Sequence, residues 1–149
     1  MLTNSNALAS VETELYDSGA SCHMSSYCHK FVNYIDIEPK TITVVDSGTF
    51  QAIGQGEMHI EVLNGKTTSH ILLHDVSYTP KIGLTLVSMS HISATGFTTI
   101  FCQDSSKRFG PWKSQLGYIK VQGGLYHVKH SRFHETAACS STGMVTIRV

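Results

Sequence analysis

Apolar and polar residues alternate in the first half of the chain, which is the periodicity of half-buried β-strands. Val11, Thr13 and Leu15 alternate with two glutamates and a tyrosine. Runs of β-branched residues, which favour strands, recur at 31–37 and 41–45. The pattern therefore predicts strands along most of this part of the chain.

A tight hairpin is predicted at Asn64-Gly65. The preceding residues, 57–62, alternate between polar and apolar types, and the segment Thr67–Leu73 resumes a strand pattern. Asn-Gly favours two-residue hairpin turns because both residues tolerate positive φ. Two antiparallel neighbours in one sheet are therefore expected.

One helix is predicted over Leu84–Thr95, where several apolar residues lie three or four apart and Gly96 follows as a C-cap. A polar, Gly-containing stretch at Gln103–Gly117 is expected to separate the later strands. Those strands are predicted at Phe97–Cys102, Tyr118–Val121 and Leu125–Lys129. The fold class predicted from these patterns is all-β with one short helix.

The composition fits a single folded domain. The chain has 149 residues, of which 41% are hydrophobic, so it can bury a core of its own. Residues 1–10 are small and polar and are interpreted as a flexible lead-in. The domain is expected over 11–129, and 130–149 are interpreted as a divergent tail.

Charge, apolar runs and cysteines indicate which partners and which cellular location to expect. The 11 basic and 11 acidic residues cancel, so neither nucleic acid nor an anionic membrane is predicted as a partner. No apolar run approaches the roughly 20 residues of a membrane helix, so a soluble protein is expected. The four cysteines follow no apolar signal region, which favours reduced thiols and a cytoplasmic location.

The triplet Asp17-Ser18-Gly19 lies at the end of the first predicted strand. An Asp there, followed by a hydroxyl and a residue without Cβ, can accept backbone N–H bonds while one oxygen faces a cleft. Two such carboxylates face to face share a proton, so one activates a water molecule and the other polarises a carbonyl. On three residues alone, however, a simple turn is the better interpretation.

A second triplet, Asp46-Ser47-Gly48, has different flanking residues. Its separation from Asp17 is too short for a complete lobe and a crossover, so an active site within one chain is rejected. The second triplet is interpreted as the tip of a hairpin. The second carboxylate is then expected from another copy of the chain across a two-fold axis, which predicts a homodimer.

The longer string Leu15–Met24 resembles the Asp-Ser-Gly-Ala-Ser/Thr-x-His-Met signature of copia-type retrotransposon proteases. Other segments resemble motifs of the same family and occur in the same order. They are Val44–Gly48, Ile53–Gly56, Leu73–Pro80, Leu84–Ser88, Gly96-Phe97 and Gly124–Tyr126. The resemblance spans Glu14–Lys129, and ordered agreement of several motifs is more specific than any single one.

The resemblance implies a small closed β-barrel of the retropepsin-like type, with a flap hairpin and an active site at a dimer interface. It implies an aspartic endopeptidase that processes a Gag-Pol polyprotein, inside a virus-like particle when the element is intact. Asp17, Ser18 and Gly19 would form the catalytic motif. The flap and cleft would include Asp46, Ser47, Gly48, Gly54 and Gly56, and no cofactor or metal is implied.

Two other interpretations of the function remain open, namely a catalytically silent domain and a gene fragment that has no function. The chain could be a catalytically silent β-domain that serves as a dimerisation or peptide-binding module, since a fold does not entail an activity. Cys22-His23 and Cys28-His29 bring four possible zinc ligands close together in sequence, but their spacing fits no common zinc finger. No metal site is therefore predicted.

Overall fold

A computed structural model describes residues 10–44, 48–110 and 115–132. The strands of these segments are β1 (Ser10–Asp17), β2 (Met24–Ser25), β3 (Phe31–Thr43), β4 (Thr49–Asn64), β5 (Thr67–Tyr78), β6 (Thr85–Ser88), β7 (Thr98–Phe101), β8 (Ser105–Phe109), β9 (Gln115–Gln122) and β10 (Leu125–Arg132). A 3-10 turn at Cys28–Lys30 and the helix α1 (Met89–Ala94) complete the described elements. The predicted all-β class with one short helix is confirmed.

The strands form one curled sheet in the order β3-β4-β5-β2-β6-β1-β10-β9-β8-β7. β1 lies near the middle of the sheet, where it pairs in parallel with β6 and antiparallel with β10. The remaining pairs include long antiparallel hairpins, β3 with β4 and β4 with β5. The strand that carries Asp17 is therefore supported by hydrogen bonds on both sides.

Contacts between β9 and the β4–β5 hairpin curl the sheet. The Ser69 hydroxyl donates to the carbonyl of Leu116 at 2.6 Å. The Asn64 amide donates to the carbonyl of Gln115 at 3.0 Å, and the Gln115 amide donates back to Asn64 Oδ1 at 2.9 Å. Because these strands are distant in sheet order, the contacts bring its two halves together around a core.

Gly117 permits this close approach, so we expect Gly117→Ala to destabilise the fold. A Cβ there would lie 2.6 Å from the Leu63 carbonyl oxygen and would collide with the Val62 side chain. Overpacking of this kind costs roughly 1 to 3 kcal/mol. Urea unfolding should show a decrease in the free energy of unfolding near the top of that range. Lys120→Ala, at an exposed position on the same strand, should change this free energy little. Equal stabilities would contradict this account of the barrel.

The core lies on the inner face of the curled sheet. Its buried apolar residues are Tyr16, Met58, Ile60, Val62, Ile71, Leu73, Val76, Val87, Met89, Ile92 and Ile119. They come from β1, β4, β5, β6, β9 and α1. Both long hairpins and the helix are thus anchored to one apolar cluster.

The inner face of β1 also carries two glutamates, Glu12 and Glu14, which are only 3% and 1% exposed. Lys30 Nζ lies 3.5 Å from a carboxylate oxygen of each. His29 Nε2 lies 2.7 Å from Glu12 Oε1, and His130 Nε2 lies 3.3 Å from Glu14 Oε1. The alternation in β1 thus buries the glutamates and leaves Val11 and Leu15 on the other face, which is the reverse of the usual arrangement. A cluster of basic side chains compensates the charge of the buried carboxylates.

The predicted hairpin at Asn64-Gly65 is confirmed. β4 ends at Asn64, β5 begins at Thr67, and Gly65 has a φ of 65°. The predicted strand at 31–37 and Thr41–Thr43 of the one predicted at 41–45 belong to one continuous strand, β3. Its pairing with β4 contains two register shifts, between Val32 and Ile35 and between Asp36 and Lys40.

The predicted helix over Leu84–Thr95 is wrong in its first half. Thr85–Ser88 forms β6, because it hydrogen-bonds between β1 and β2 and its β-branched residues suit that position. The helix begins only after Ser88, whose hydroxyl accepts from the His91 N–H as an N-cap. Gly96, with a φ of 92°, follows the helix as predicted for a C-cap residue.

The polar stretch predicted to separate the later strands contains β8, which pairs with β7 and β9. The described strands run from Ser10 to Arg132. The division into a lead-in, a domain and a tail stays a prediction.

The cysteines depart in part from expectation. Cys22 and Cys102 have free thiols. Cys28 is disulfide-bonded, so the expectation of reduced thiols throughout is wrong for this residue. None of the helices in the described segments has the length and apolar character that a membrane crossing requires.

Candidate active site

Asp17 is the last residue of β1 and lies opposite Ser88 in the parallel register with β6. Its side chain is half-buried, and Ser18 and Gly19 beyond it are exposed. The predicted triplet therefore stands at the end of a central strand, where the backbone is held on one side and the side chain reaches the surface.

Gly19 fixes the orientation of the Asp17 carboxylate. Its backbone N–H donates to Asp17 Oδ1 at 2.7 Å. A Cβ at Gly19 would lie 3.3 Å from the same oxygen, so any larger residue would push against the carboxylate it should hold. This close approach gives a local physical reason for glycine at the third position of the triplet.

Asp17 shares its face of β1 with the apolar residues Val11 and Leu15. We call this the outer face, formed by Val11, Thr13, Leu15, Asp17, Leu84 and Leu125. Val11 is 56% exposed and Leu125 is 53% exposed. A shallow cavity of about 220 Å³ is lined by Thr13, Leu15, Leu84, Leu125, His127 and Lys129. The outer face is thus a partly exposed apolar surface that ends at a carboxylate.

A larger cavity, of about 410 Å³, lies elsewhere in the described part of the chain. It is bordered by the β5 segment His70–His74 and by α1, and its lining includes His23 and His91. Asp17 lines neither this cavity nor the one on the outer face. The half-buried Asp17 carboxylate therefore belongs to neither of these two cavities.

The segment that follows Asp17 is fastened to the end of β6. Ser88 Oγ donates to the Ala20 carbonyl at 2.6 Å, and the Ser88 N–H donates to His23 Nδ1 at 3.0 Å. Burial, and then the charge of His91, lower the pKa of His23 to about 4, although the nearby Asp75 acts in the opposite direction. His23 is therefore neutral at the pH values at which the protein is expected to work.

Ser88 is a site residue that the sequence interpretation missed. The predicted helix over Leu84–Thr95 contains Ser88, whereas in the structure Ser88 is the N-cap and the helix begins at the next residue, Met89. A Ser directly before the first residue of a helical segment is a recognised signal for the start of a helix. The pairing with Asp17 could not be read from the sequence, because it depends on a crossover between distant segments.

The predicted flap falls on the β3–β4 hairpin. The Val44 N–H donates to the Gly48 carbonyl at 2.9 Å and closes its tip, while Asp46 and Ser47 lie outside the described residues. The hairpin itself is therefore found where the motif predicts it. Its role in covering a substrate stays a prediction.

Gly54 and Gly56 are buried in β4 beneath aromatic side chains. A Cβ at Gly54 would collide with the Tyr34 ring, and one at Gly56 would lie 3.0 Å from the Val32 carbonyl oxygen. Tyr34 packs edge-on against Tyr78 at 5.8 Å. Partial burial, and then a hydrogen bond to Asp36, raise the pKa of Tyr34 to about 12. Both glycines thus have a packing role, and their assignment to substrate binding stays a prediction.

Cys22-His23 and Cys28-His29 are the possible zinc ligands that lie close together in the sequence. Among the residues that the structure describes, no group of three or more His, Cys, Asp or Glu side chains is arranged to hold a metal ion. The His23 Nδ1 atom, which would be one candidate ligand, is already occupied by the Ser88 N–H.

Comparison with protein families gives one match. The model of the "Pol polyprotein, beta-barrel domain" family matches residues 15–97, which is more than half of the chain. The chain belongs to this family. A comparison with curated proteins gave no match.

The matched part of the Pol β-barrel domain runs from the end of β1 through α1. It contains the Asp17 triplet, the β3–β4 hairpin and Ser88, whereas β7 to β10 lie outside it. Membership indicates a retroelement origin and agrees with the curled all-β sheet. The resemblance seen in the sequence is thus supported at the level of the Pol polyprotein.

Proposed function

We propose that this Pol β-barrel domain is an aspartic endopeptidase of a copia-type retrotransposon, active as a homodimer in which each chain supplies one Asp17. The observation that carries the proposal is the half-buried Asp17 carboxylate, which the Gly19 N–H orients at the end of the outer face. Its substrate would be an extended segment of the Gag-Pol polyprotein, processed in the cytoplasm or within a virus-like particle.

The chemistry requires two carboxylates at the same water molecule. When two Asp17 side chains face each other, they share one proton. The ionised carboxylate takes a proton from the water, the protonated one donates to the scissile carbonyl oxygen, and the water oxygen attacks the carbonyl carbon. The tetrahedral intermediate collapses as the amide nitrogen takes up a proton, and the peptide bond breaks.

The described residues of one chain offer no suitable second carboxylate on the outer face. Glu12 and Glu14 lie on the same strand as Asp17, but they are buried on its opposite face and contact Lys30. A symmetric partner solves this problem, because a two-fold axis beside Asp17 brings the same residue of each chain together.

The outer face fits a second copy of the chain as its occupant. It carries the apolar side chains of Leu15, Leu84 and Leu125 beside His127 and Lys129, and it is continuous with Asp17. One interface would therefore bury its leucines and also complete the dyad. Exposed apolar patches beside a functional group are typical of interaction sites. The opposing copy would place Leu125 and Leu15 near their own equivalents.

Sedimentation combined with a peptide-cleavage assay tests the proposed dimer. A charge at the 53% exposed Leu125 would face a like charge across the two-fold axis, so Leu125→Lys should weaken the dimer at least about tenfold. Specific activity at a fixed low concentration should fall in parallel. Leu63→Lys, at a 60% exposed residue on β4, is the matched control and should leave both unchanged.

Three outcomes would count against the proposal. A wild-type chain that stays monomeric at all concentrations would overturn the dimer, and cleavage by that monomer would overturn the shared dyad. A stable dimer that cleaves no unfolded polypeptide between pH 4 and 7 would identify instead the silent dimerisation module considered above.

A further inference from the structure

The end of β6 connects the Asp17 segment to the helix. Ser88 is buried, lies opposite Asp17 in the sheet and caps α1 by accepting from the His91 N–H at 3.2 Å. The same hydroxyl donates to the Ala20 carbonyl at 2.6 Å. One side chain therefore ties the segment after the catalytic motif to the first turn of the helix.

His23 provides the second tie. It is buried, and its Nδ1 atom accepts the Ser88 N–H at 3.0 Å, so this nitrogen carries no proton of its own. The proton of the neutral ring is then on Nε2. The ring also stacks on His91 of α1, with centroids 4.6 Å apart and planes 6° apart.

The exposed part of the motif needs such support. Ser18 and Gly19 are exposed, and Asp17 Oδ1 is held by the N–H of Gly19. The backbone of Gly19 is one residue from Ala20, whose carbonyl is fixed by Ser88. A shift of this segment would therefore move the group that orients the carboxylate.

From this geometry we propose that His23 and Ser88 are positioning residues that lock the Asp17 segment to α1, and that protonation of His23 releases the lock. The proposal rests on the proposed function for its effect on catalysis. A protonated Nδ1 could no longer accept the backbone N–H of Ser88, because both groups would then be donors. The hydrogen bond between them would be lost.

Several titratable groups lie around His23. His91 stacks on it from α1, Asp75 approaches from β5, and His70 and His74 of β5 line the same cavity. Burial and the charge of His91 oppose protonation, and Asp75 favours it, with the net result that the pKa of His23 falls from 6.5 to about 4. The cavity of about 410 Å³ beside the ring gives solvent a path to it.

The sign of the pH dependence follows from this shift. Between pH 4 and 6.5 the unfolded chain binds a proton at His23 that the folded chain excludes. The contribution of this residue to stability is therefore complete above about pH 6.5 and is lost as the pH falls towards 4.

NMR of the wild-type domain tests the lock without relying on catalysis. As the pH falls from 6.5, the imidazole of His23 should titrate near pH 4, and the amide resonances of Ser88, Ala20 and Gly19 should move with the same midpoint. Amide resonances that stay fixed while His23 titrates, or a His23 midpoint near its usual 6.5, would overturn the proposal even in an inactive domain.

Two variants test the catalytic consequence. In His23→Asn the side-chain oxygen can take the place of Nδ1 as the acceptor, and it cannot titrate. Cleavage at pH 5 to 6 should therefore stay within a few-fold of wild type. The loss of activity that protonation of His23 causes at lower pH should disappear. His23→Leu removes the acceptor, and we expect at least about a tenfold loss in kcat with little change in KM.

If cleavage activity falls with decreasing pH in the same way in wild type and His23→Asn, the result would contradict the role of His23. So would equal kcat values for His23→Leu and wild type. Absence of cleavage in every protein, wild type included, would instead refute the proposed function, and the NMR titration would then decide on the lock alone.

Discussion

Replacement of Asp17 by Asn should abolish peptide cleavage, with a loss of at least about 10³-fold in kcat at every pH. Asn keeps the oxygen that accepts the Gly19 N–H at 2.7 Å, so the strand end should fold as in the wild type. It removes the ionisable group of both active-site residues at once, because the dimer contains two copies of the substitution. Cleavage of an unfolded polypeptide at mildly acidic pH is the measurement.

Asp46→Asn is the matched control for this result. Asp46 belongs to the other Asp-Ser-Gly triplet, so the two variants make the same chemical change at the first residue of the same triplet. Activity should survive in Asp46→Asn with at most a few-fold change. Unfolding transitions should coincide in all three proteins, which separates a catalytic loss from a folding defect. Full activity in Asp17→Asn would end the aspartic peptidase interpretation.

Replacement of Lys30 by Met should cause the largest loss of stability. Lys30 Nζ lies 3.5 Å from both Glu12 and Glu14, whose side chains are almost fully buried. Met has a similar volume but leaves the two carboxylates without this cation, and removal of one partner from a buried ionic cluster costs about 3 to 5 kcal/mol. Urea unfolding at neutral pH measures the difference.

The matched control is Lys40→Met, which makes the same change at an exposed position of β3 and should have little effect. A triple variant, Lys30→Met with Glu12→Gln and Glu14→Gln, should recover most of the loss, since it removes the uncompensated charges as well. If Lys30→Met is as stable as Lys40→Met, the buried cluster does not stabilise the fold in the way described.

Local rules predicted much of this fold. The Asn64-Gly65 turn follows from the preference of this pair for positive φ, and Gly65 adopts it. The position of Asp17 at the end of a strand could also be read from the alternation that precedes it. These features depend on a few neighbouring residues, so sequence suffices for them.

The orientation of β1 could not be predicted in the same way. Alternation separates two faces, and hydrophobicity alone would bury the face of Val11 and Leu15. In the structure the glutamates are buried instead, because Lys30 and His130 reach them from other segments. A pattern within one strand does not contain those distant partners, and the exposed apolar face that results is the basis of the proposed dimer interface.

The first half of the helix prediction failed for a related reason. Residues 85–88 have apolar spacing that suits a helix, but they insert between β1 and β2 and form a strand. Tertiary hydrogen bonding overrides a local preference of this size. The consequence is functional, because the strand places Ser88 opposite Asp17 and within reach of Ala20.

A mixing experiment tests the central claim most directly, namely that each active site contains Asp17 from two chains. Wild-type protein at a fixed concentration is equilibrated with a ninefold excess of Asp17→Asn chain, and cleavage is followed. Random exchange would leave only about one tenth of the wild-type chains in wild-type dimers, so activity should fall to about that level. The same excess of Asp46→Asn chain should not reduce it. Activity that is unchanged by the Asp17→Asn chain, under conditions where subunits exchange, would show that one chain suffices and would contradict the shared dyad.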